Sequence, residues 1–387
     1  ARAGVGGGNW GAGVWSEGGG AIVNDGRGAG HQNRGGQVAR LPAAERRAAL
    51  AGVRTLAHGR GDPPAVTFAA RAPARLEANP ELQAALTQGR AAVLDDGVQI
   101  WLGEPIAIKA PTAARLDRYE ASNLLIIGGD EDQAFGLLTA AVLSVAAQRD
   151  PAQAQFLVGD FSRPTSRYFG LFGRLNLPHR ILLLNARQLR GPDPAAPAAG
   201  ASSSPAPGRT SRFDFPTPAV NAPPSSATPL DRLEALITER WAQMDAGVVP
   251  DGPAIYLVLA GLHAWRDLRP VDFKPSPAAE QALRIAARGP EVGVHVIAWA
   301  DSYTTLEQSF KRGSLAHFDH RAILRVSEPE SNNLLGSPLA ARLPDGRALY
   351  RFEGAAQGVI EKFKPYVVPE ATALTALVAQ IRDAMRV

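Results

Sequence analysis

The chain contains no cysteine, which excludes disulfides, thiol catalysis and cysteine-ligated zinc or iron–sulfur centres. Lysine is nearly as scarce. Of the 41 basic residues only Lys109, Lys274, Lys311, Lys362 and Lys364 are lysines, and the rest are arginines. No apolar run approaches the roughly 18 residues of a membrane-spanning helix; Leu124–Ile127 and Ile255–Ala260 have the length of strands. No membrane contact is therefore expected from this segment, and a cytoplasmic location is expected. The chain opens on Ala1 with no signal-peptide pattern. It reads as an excised fragment or a metagenome-style open reading frame, with any membrane anchor or targeting signal outside it. The 37 acidic residues leave a net charge of only +4, which permits a nucleic-acid partner without arguing for one. With 387 residues, 45% of them hydrophobic, the chain is long enough for one large α/β domain or two smaller ones.

Residues 1–36 hold 14 of the 39 glycines and read as a flexible segment, with Trp10 and Trp15 as exceptions. An N-terminal α/β extension is expected over 37–97, with helices at 43–58 and from Pro80 to Thr87 and a short strand at Ala65–Phe68. The main pattern begins near residue 98. Val98–Leu102 and Ile106–Lys109 read as a hairpin around Gly103-Glu104-Pro105. Asn123–Ile127 reads as a strand buried on both faces, and a helix from Gln133 to Gln148 follows. Further strands are read at Phe156–Asp160, Arg180–Leu184, Ile255–Leu259, Val294–Trp299, Arg321–Val326 and Ala348–Phe352. Helices begin at Thr228-Pro229 and Ser276-Pro277, and a C-terminal helix over 369–387 opens at Pro369. Residues 191–229 hold 10 of the 31 prolines and read as a disordered insertion. Strands alternating with helices imply βαβ units and a mostly parallel sheet with helices on both faces over 98–368.

In such a sheet ligands sit beyond the C-terminal ends of the strands, which directs attention to Gly128-Gly129-Asp130-Glu131-Asp132-Gln133-Ala134-Phe135. A phosphate-binding loop reads Gly-x-x-x-x-Gly-Lys-Ser/Thr: backbone N–H groups cradle the phosphate, the lysine reaches its oxygens and the hydroxyl holds Mg²⁺. Counted from Gly128, the diagnostic positions are Gln133, Ala134 and Phe135; counted from Gly129, they are Ala134, Phe135 and Gly136. Both frames fail at all three positions. No lysine in the chain follows a glycine, so the motif is not displaced elsewhere. The second element of such sites, a buried strand ending in an acid that orders Mg²⁺, has its counterpart in Ile255–Leu259. That strand ends in Ala260-Gly261-Leu262-His263, without a carboxylate.

Taken in order, these segments resemble the motor domain of the FtsK/SpoIIIE/HerA translocase superfamily, and especially the inactive ATPase modules of EccC proteins of type VII secretion. The resemblance covers about residues 98–365 outside the insertion. It rests on Leu102–Ile106, Ser122–Gly128, Ser144–Gln148, Gln155–Phe161, Leu177-Pro178-His179, Arg288–Ile297 with its Gly-hydrophobic-His pattern, Ser331–Leu343 and Gly346–Tyr350. It implies a RecA-like P-loop NTPase fold, a ring or tandem arrangement, and ATP-driven movement of DNA or protein. The family's lysine, hydroxyl and strand-end acid are missing. Its Ala-Thr-Gln after the histidine strand is here Ala298-Trp299-Ala300-Asp301. The expectation is a degenerate module without hydrolysis, with no firmly bound cofactor, and with ATP and Mg²⁺ only if the loop still functions. The expected partners are other modules or subunits of a translocase ring, and possible double-stranded DNA. A peptide-recognition module of a secretion coupler and an active DNA-translocating lobe are the alternatives.

Several residues admit two readings. Asp160 ends a strand, where catalytic acids sit, or caps a turn and pairs with Arg163. His179 and His263 read as structural residues or as site residues, and His317 and His320 as a metal pair only against a lack of nearby acids. Arg266, Arg269, Lys274, Arg284 and Arg288 form a basic stretch that contacts DNA or a partner, or is a solvated face. Asp130, Glu131 and Asp132 suit a helix start, or accept an arginine from a neighbouring subunit. Trp265 and Trp299 line a peptide pocket, or belong to the core.

Overall fold

The computed structural model describes residues 20–23, 34–37, 42–57, 72–87, 97–107, 109–184, 227–270, 274–310, 313–354 and 359–385. The start of the glycine-rich segment with both its tryptophans, the strand expected at Ala65–Phe68 and nearly all of the insertion lie outside the described residues. The chain divides into two units, Ala1–Arg71 and Ala72–Val387. In the first, β1 (Gly20–Val23) pairs antiparallel with β2 (Arg34–Gln37), and α1 runs Ala43–Ala57. Leu50, Val53 and Leu56 share a side of α1 and are exposed.

The second unit is built on one ten-stranded sheet. In chain order its elements are α2 (Pro80–Thr87), β3 (Val98–Pro105), β4 (Thr112–Leu116), β5 (Leu124–Ile127), α3 (Glu131–Gln148), β6 (Ala154–Asp160), α4 (Leu171–Arg174) and β7 (Arg180–Leu184). Next come α5 (Pro229–Asp245), β8 (Ala254–Ala260), α6 (Pro277–Arg288), β9 (Val294–Ala300), α7 (Tyr303–Ser309), β10 (His320–Ile323), α8 (Glu328–Leu335), β11 (Ala348–Phe352), β12 (Val359–Pro365) and α9 (Ala371–Ala384). The strand order is β4-β3-β12-β11-β10-β5-β9-β8-β6-β7. From β10 to β7 every pairing is parallel; from β10 to β4 every pairing is antiparallel.

The alternation of side chains along each central strand feeds two cores. Leu124, Ile126, Phe156, Val158, Tyr256, Val258, Ile297 and Trp299 pack on one face with α3 and α9. Leu125, Ile127, Leu157, Leu257, Leu259, Val296 and Ala298 pack on the other with α5 and α6. Helices therefore cover both faces, as the sequence predicts.

Helix α3 is buried from Ala134 to Gln148. A Cβ on its Gly136 would collide with the Tyr366 carbonyl, so glycine is what lets the chain after β12 cross the helix closely. The two polar residues in its second half satisfy backbone groups of β3. Ser144 Oγ accepts from Trp101 N at 3.1 Å, and the Gln148 amide accepts from Gln99 N at 3.0 Å while donating to Gln99 O at 2.6 Å. These groups stand beside the register shift between Trp101 and Gly103, where ladder bonds alone are insufficient.

Three points of the sequence reading need correction. The strand from Val98 does not turn at Gly103-Glu104-Pro105 but runs through it, and its hairpin partner is Thr112–Leu116 rather than Ile106–Lys109. Proline is tolerated there because it ends the strand. Strand β12 was not anticipated. Its Glu361, Lys362 and Lys364 break the apolar pattern, yet Glu361 pairs with Lys109 at 2.5 Å and the buried Lys364 pairs with Glu104 at 2.9 Å. The expected strand Arg321–Val326 is shorter and begins earlier, at His320–Ile323.

Candidate functional site

Strand β5 lies between β10 and β9, and the chain leaves it to cross two strands and form β6. Strands β8 and β9 then fill the gap, and β10 is added on the other side of β5. The connections thus change direction at β5, the position that opens a crevice at the strand C-termini.

Only Gly128, Gly129 and Asp130 separate the end of β5 from the first residue of α3. The helix begins two residues before the Gln133 start expected from the sequence. Glu131 and Asp132 therefore belong to its first turn, where acids suit the helix dipole. Gly128 has φ +134 and packs against Leu324, donating its N–H to Ala300 O at 3.0 Å. Asp130 is the N-cap: its Oδ1 accepts from Gln133 N at 3.0 Å, and its Oδ2 accepts from the Gln133 amide. A carboxylate of the chain itself thus occupies the helix N-terminus. Asp132 is exposed, and its carboxylate bonds Tyr168 OH at 3.0 Å and pairs with Arg167 Nη2 of this chain at 2.5 Å.

Phe135 is fully buried behind the loop. It stacks on Tyr168 at 4.7 Å and lies 6.1 Å from Phe172, with its edge contact to Trp299 at 5.7 Å. Trp299 is buried and donates its Nε1–H to Gly128 O at 2.9 Å. The next strand end, after β8, reads Ala260, Gly261 with φ +86, and then a short 3-10 turn carrying His263. His263 lies edge-on to Trp299 at 4.9 Å, and its Nδ1 is 3.9 Å from Asp301 Oδ1. Burial lowers its pKa, opposed by Asp301. Asp160, at the end of β6, accepts from Ser162 N at 3.0 Å and Gly170 N at 3.2 Å. It is a turn cap.

No protein-family model and no curated protein matches the sequence. Solved structures do. The cytoplasmic domain of the type VII secretion ATPase EccC of Thermomonospora curvata is 19% identical and superposes with a TM-score of 0.51 over 80% of this chain and 34% of that one. This chain has the P-loop ATPase fold. ATPases 2 and 3 of the same EccC, in complex with a signal sequence peptide, give 16% identity and a TM-score of 0.47 over 76% of this chain and 49% of theirs. ATPases 2 and 3 of EssC from Geobacillus thermodenitrificans give 15% and 0.49 over 84% and 52%. The chain thus spans between about a third and a half of these proteins.

Within the P-loop ATPase fold, Gly128 to Phe135 and Ala260, Gly261 and His263 do converge, around Trp299. The basic stretch does not form one surface. Arg266, Arg269 and Arg284 line a cleft of about 650 Å³ between the starts of α5 and α6, together with Asp231, Glu234 and Asp267. Arg284 is paired with Glu234 at 2.6 Å. Lys274 is exposed, and Arg288 lies over the Trp241 ring. Trp265 is buried against Phe161 at 4.8 Å.

His179, His295 and His320 are held in structural contacts. His179 bonds to Arg149 O at 2.7 Å, and His295 Nδ1 bonds to Ser122 O at 2.8 Å. His320 lies between Tyr119 OH and Tyr350 OH, and among the described residues no group of three or more metal-ligating side chains exists. Sequence reasoning missed Tyr168 and Phe172, which carry no motif. It also missed Asp301, the acid that stands beside His263.

Proposed function

We propose that this chain is an ATPase-fold module that has lost phosphate binding and hydrolysis, and that it serves a larger motor through assembly, regulation or docking. The observation that carries this reading is Asp130. Its carboxylate caps the helix N-terminus at which the fold would receive a phosphate. Two further features agree with it. Phe135, at the position of the hydroxyl that would hold Mg²⁺, is sealed in an aromatic cluster. The loop is also only three residues long, too short to wrap a phosphate. ATP and Mg²⁺ do not fit these residues: a second anion at Asp130 would be repelled, no lysine is present to offset it, and no carboxylate ends β8.

A titration of the purified chain with a fluorescent ATP analogue, with and without Mg²⁺, tests the reading. Binding should not saturate at micromolar concentrations. Saturable, Mg²⁺-dependent binding would overturn the proposal, and salt-sensitive binding of duplex DNA would favour a DNA-translocating lobe.

A further inference from the structure

The opposite, N-terminal edge of the parallel strands holds an unbalanced pair of arginines. Arg240, on α5, is 3% exposed. Its Nη1 donates to Val292 O at 2.9 Å and its Nη2 to Pro253 O at 2.7 Å, which fixes the guanidinium between the starts of β9 and β8. A guanidinium carries five N–H donors, and the buried Nε of Arg240 has no acceptor. Arg118, half-buried in the connection from β4 to β5, makes no hydrogen bond or ion pair with any described residue.

Both side chains converge on Gly293. The point where a Cβ would stand is 3.4 Å from Arg118 Nε, 3.6 Å from Arg118 Nη2 and 3.6 Å from Arg240 Nη1. Gly293 has φ +76, so glycine keeps the space open as well as permitting the turn. Glu239 and Asp251 act on Arg240 only through their field; neither contacts it. Two positive groups therefore crowd one small space, with donors that no described residue uses and no counter-charge in contact among the described residues, an arrangement that costs free energy unless an anion joins it.

We infer that Arg118 and Arg240 form an oxyanion site for a phosphate group at Gly293. Arg240 is the fixed half, already positioned by two carbonyls. Arg118 is the adjustable half, reachable from solvent and able to present two parallel N–H groups. The site is separate from the Asp130 loop and independent of how that loop is read.

The test is a titration of the whole chain with inorganic phosphate at ionic strength held constant with sodium chloride. It is followed by ³¹P line width and by thermal unfolding. Phosphate should broaden saturably and raise the melting temperature. Arg118→Ala should weaken binding by about tenfold or more, the worth of a charge-assisted hydrogen bond. Gly293→Ala, which places a methyl between the two guanidiniums, should do the same. Displacement of phosphate by AMP would identify a phosphomonoester as the natural ligand. Its absence would identify the free anion, and either result supports the site. A response no larger than that to chloride, or one retained in both Arg118→Ala and Arg118→Gln, would overturn it.

Discussion

At the C-terminal edge of the parallel strands stand Asp130, Glu131, Asp160 and Asp301, with Asp132 paired to Arg167. At the N-terminal edge stand Arg118, Arg149 and Arg240, beside the buried His295. Folds of this kind usually receive anions at the first edge, and here the helix N-terminus at that edge carries Asp130, Glu131 and Asp132. Helix α3 links the two edges. Its N-terminus is capped by Asp130 and followed by two acids, and Arg149 is its C-cap residue. Each edge thus carries the charge that complements the dipole of this helix. At the acidic edge the Asp130 carboxylate caps the helix N-terminus.

The largest effect tests whether the acidic edge is a sealed core. Phe135→Ala should cost roughly 3–5 kcal/mol of stability, the usual range for a buried phenylalanine, measured by urea unfolding. A near-neutral substitution would mean that the aromatic cluster is a loose gate over a usable site.

Acid should attack the other edge. Burial, first among the causes, pushes His295 and His320 down to about 4. The unfolded chain binds these protons more readily, so stability is full above about pH 6.5 and is lost as pH falls toward 4, by roughly 2–3 kcal/mol for each group. His295 lies near Arg118 and Asp117, so its protonation adds charge where arginines already gather. Unfolding followed from pH 7 to pH 4 reads the slope. A flat profile would remove the buried histidines from the comparison.

Asp130→Ala should cost about 1 kcal/mol through the lost cap. If the same variant gained affinity for phosphate or ATP in the titrations above, the acidic edge would be a masked anion site rather than a lost one. The smallest effect belongs to Arg118→Ala. In phosphate-free buffer it should change stability by less than about 0.5 kcal/mol, since Arg118 has no hydrogen bond or ion pair to lose among the described residues. A large cost there would show that Arg118 is structural.

Much of this is readable in the residues. The apolar run Leu124–Ile127 can only be a central strand. The capping box at Thr228, the Ser276 N-cap and the N1 prolines Pro229 and Pro277 place their helices to the residue, because caps are local hydrogen bonds. The missing lysine, hydroxyl and acid are also visible, since they are properties of single positions. Other features depend on distant neighbours. The β3 hairpin was misplaced because Gly103-Glu104-Pro105 reads as a turn when taken alone. Strand β12 was invisible because its charges are balanced by Lys109 and Glu104, far away in the chain. The five basic residues 266–288 looked like one patch, but the helix start and the 3-10 turn aim them in different directions.

The sequence alone therefore determines the alternation of strands and helices, the capped helix starts and the absence of a Gly-x-x-x-x-Gly-Lys-Ser/Thr motif, because each rests on periodicity, local hydrogen bonding or residue type. The tertiary structure alone decides that Asp130 caps α3 directly after β5, that Phe135 is closed in by Tyr168 and Trp299, and that Arg118 and Arg240 meet at Gly293. Those outcomes depend on strand order and on which backbone ends the crossovers bring together, and neither is written in any single stretch of chain.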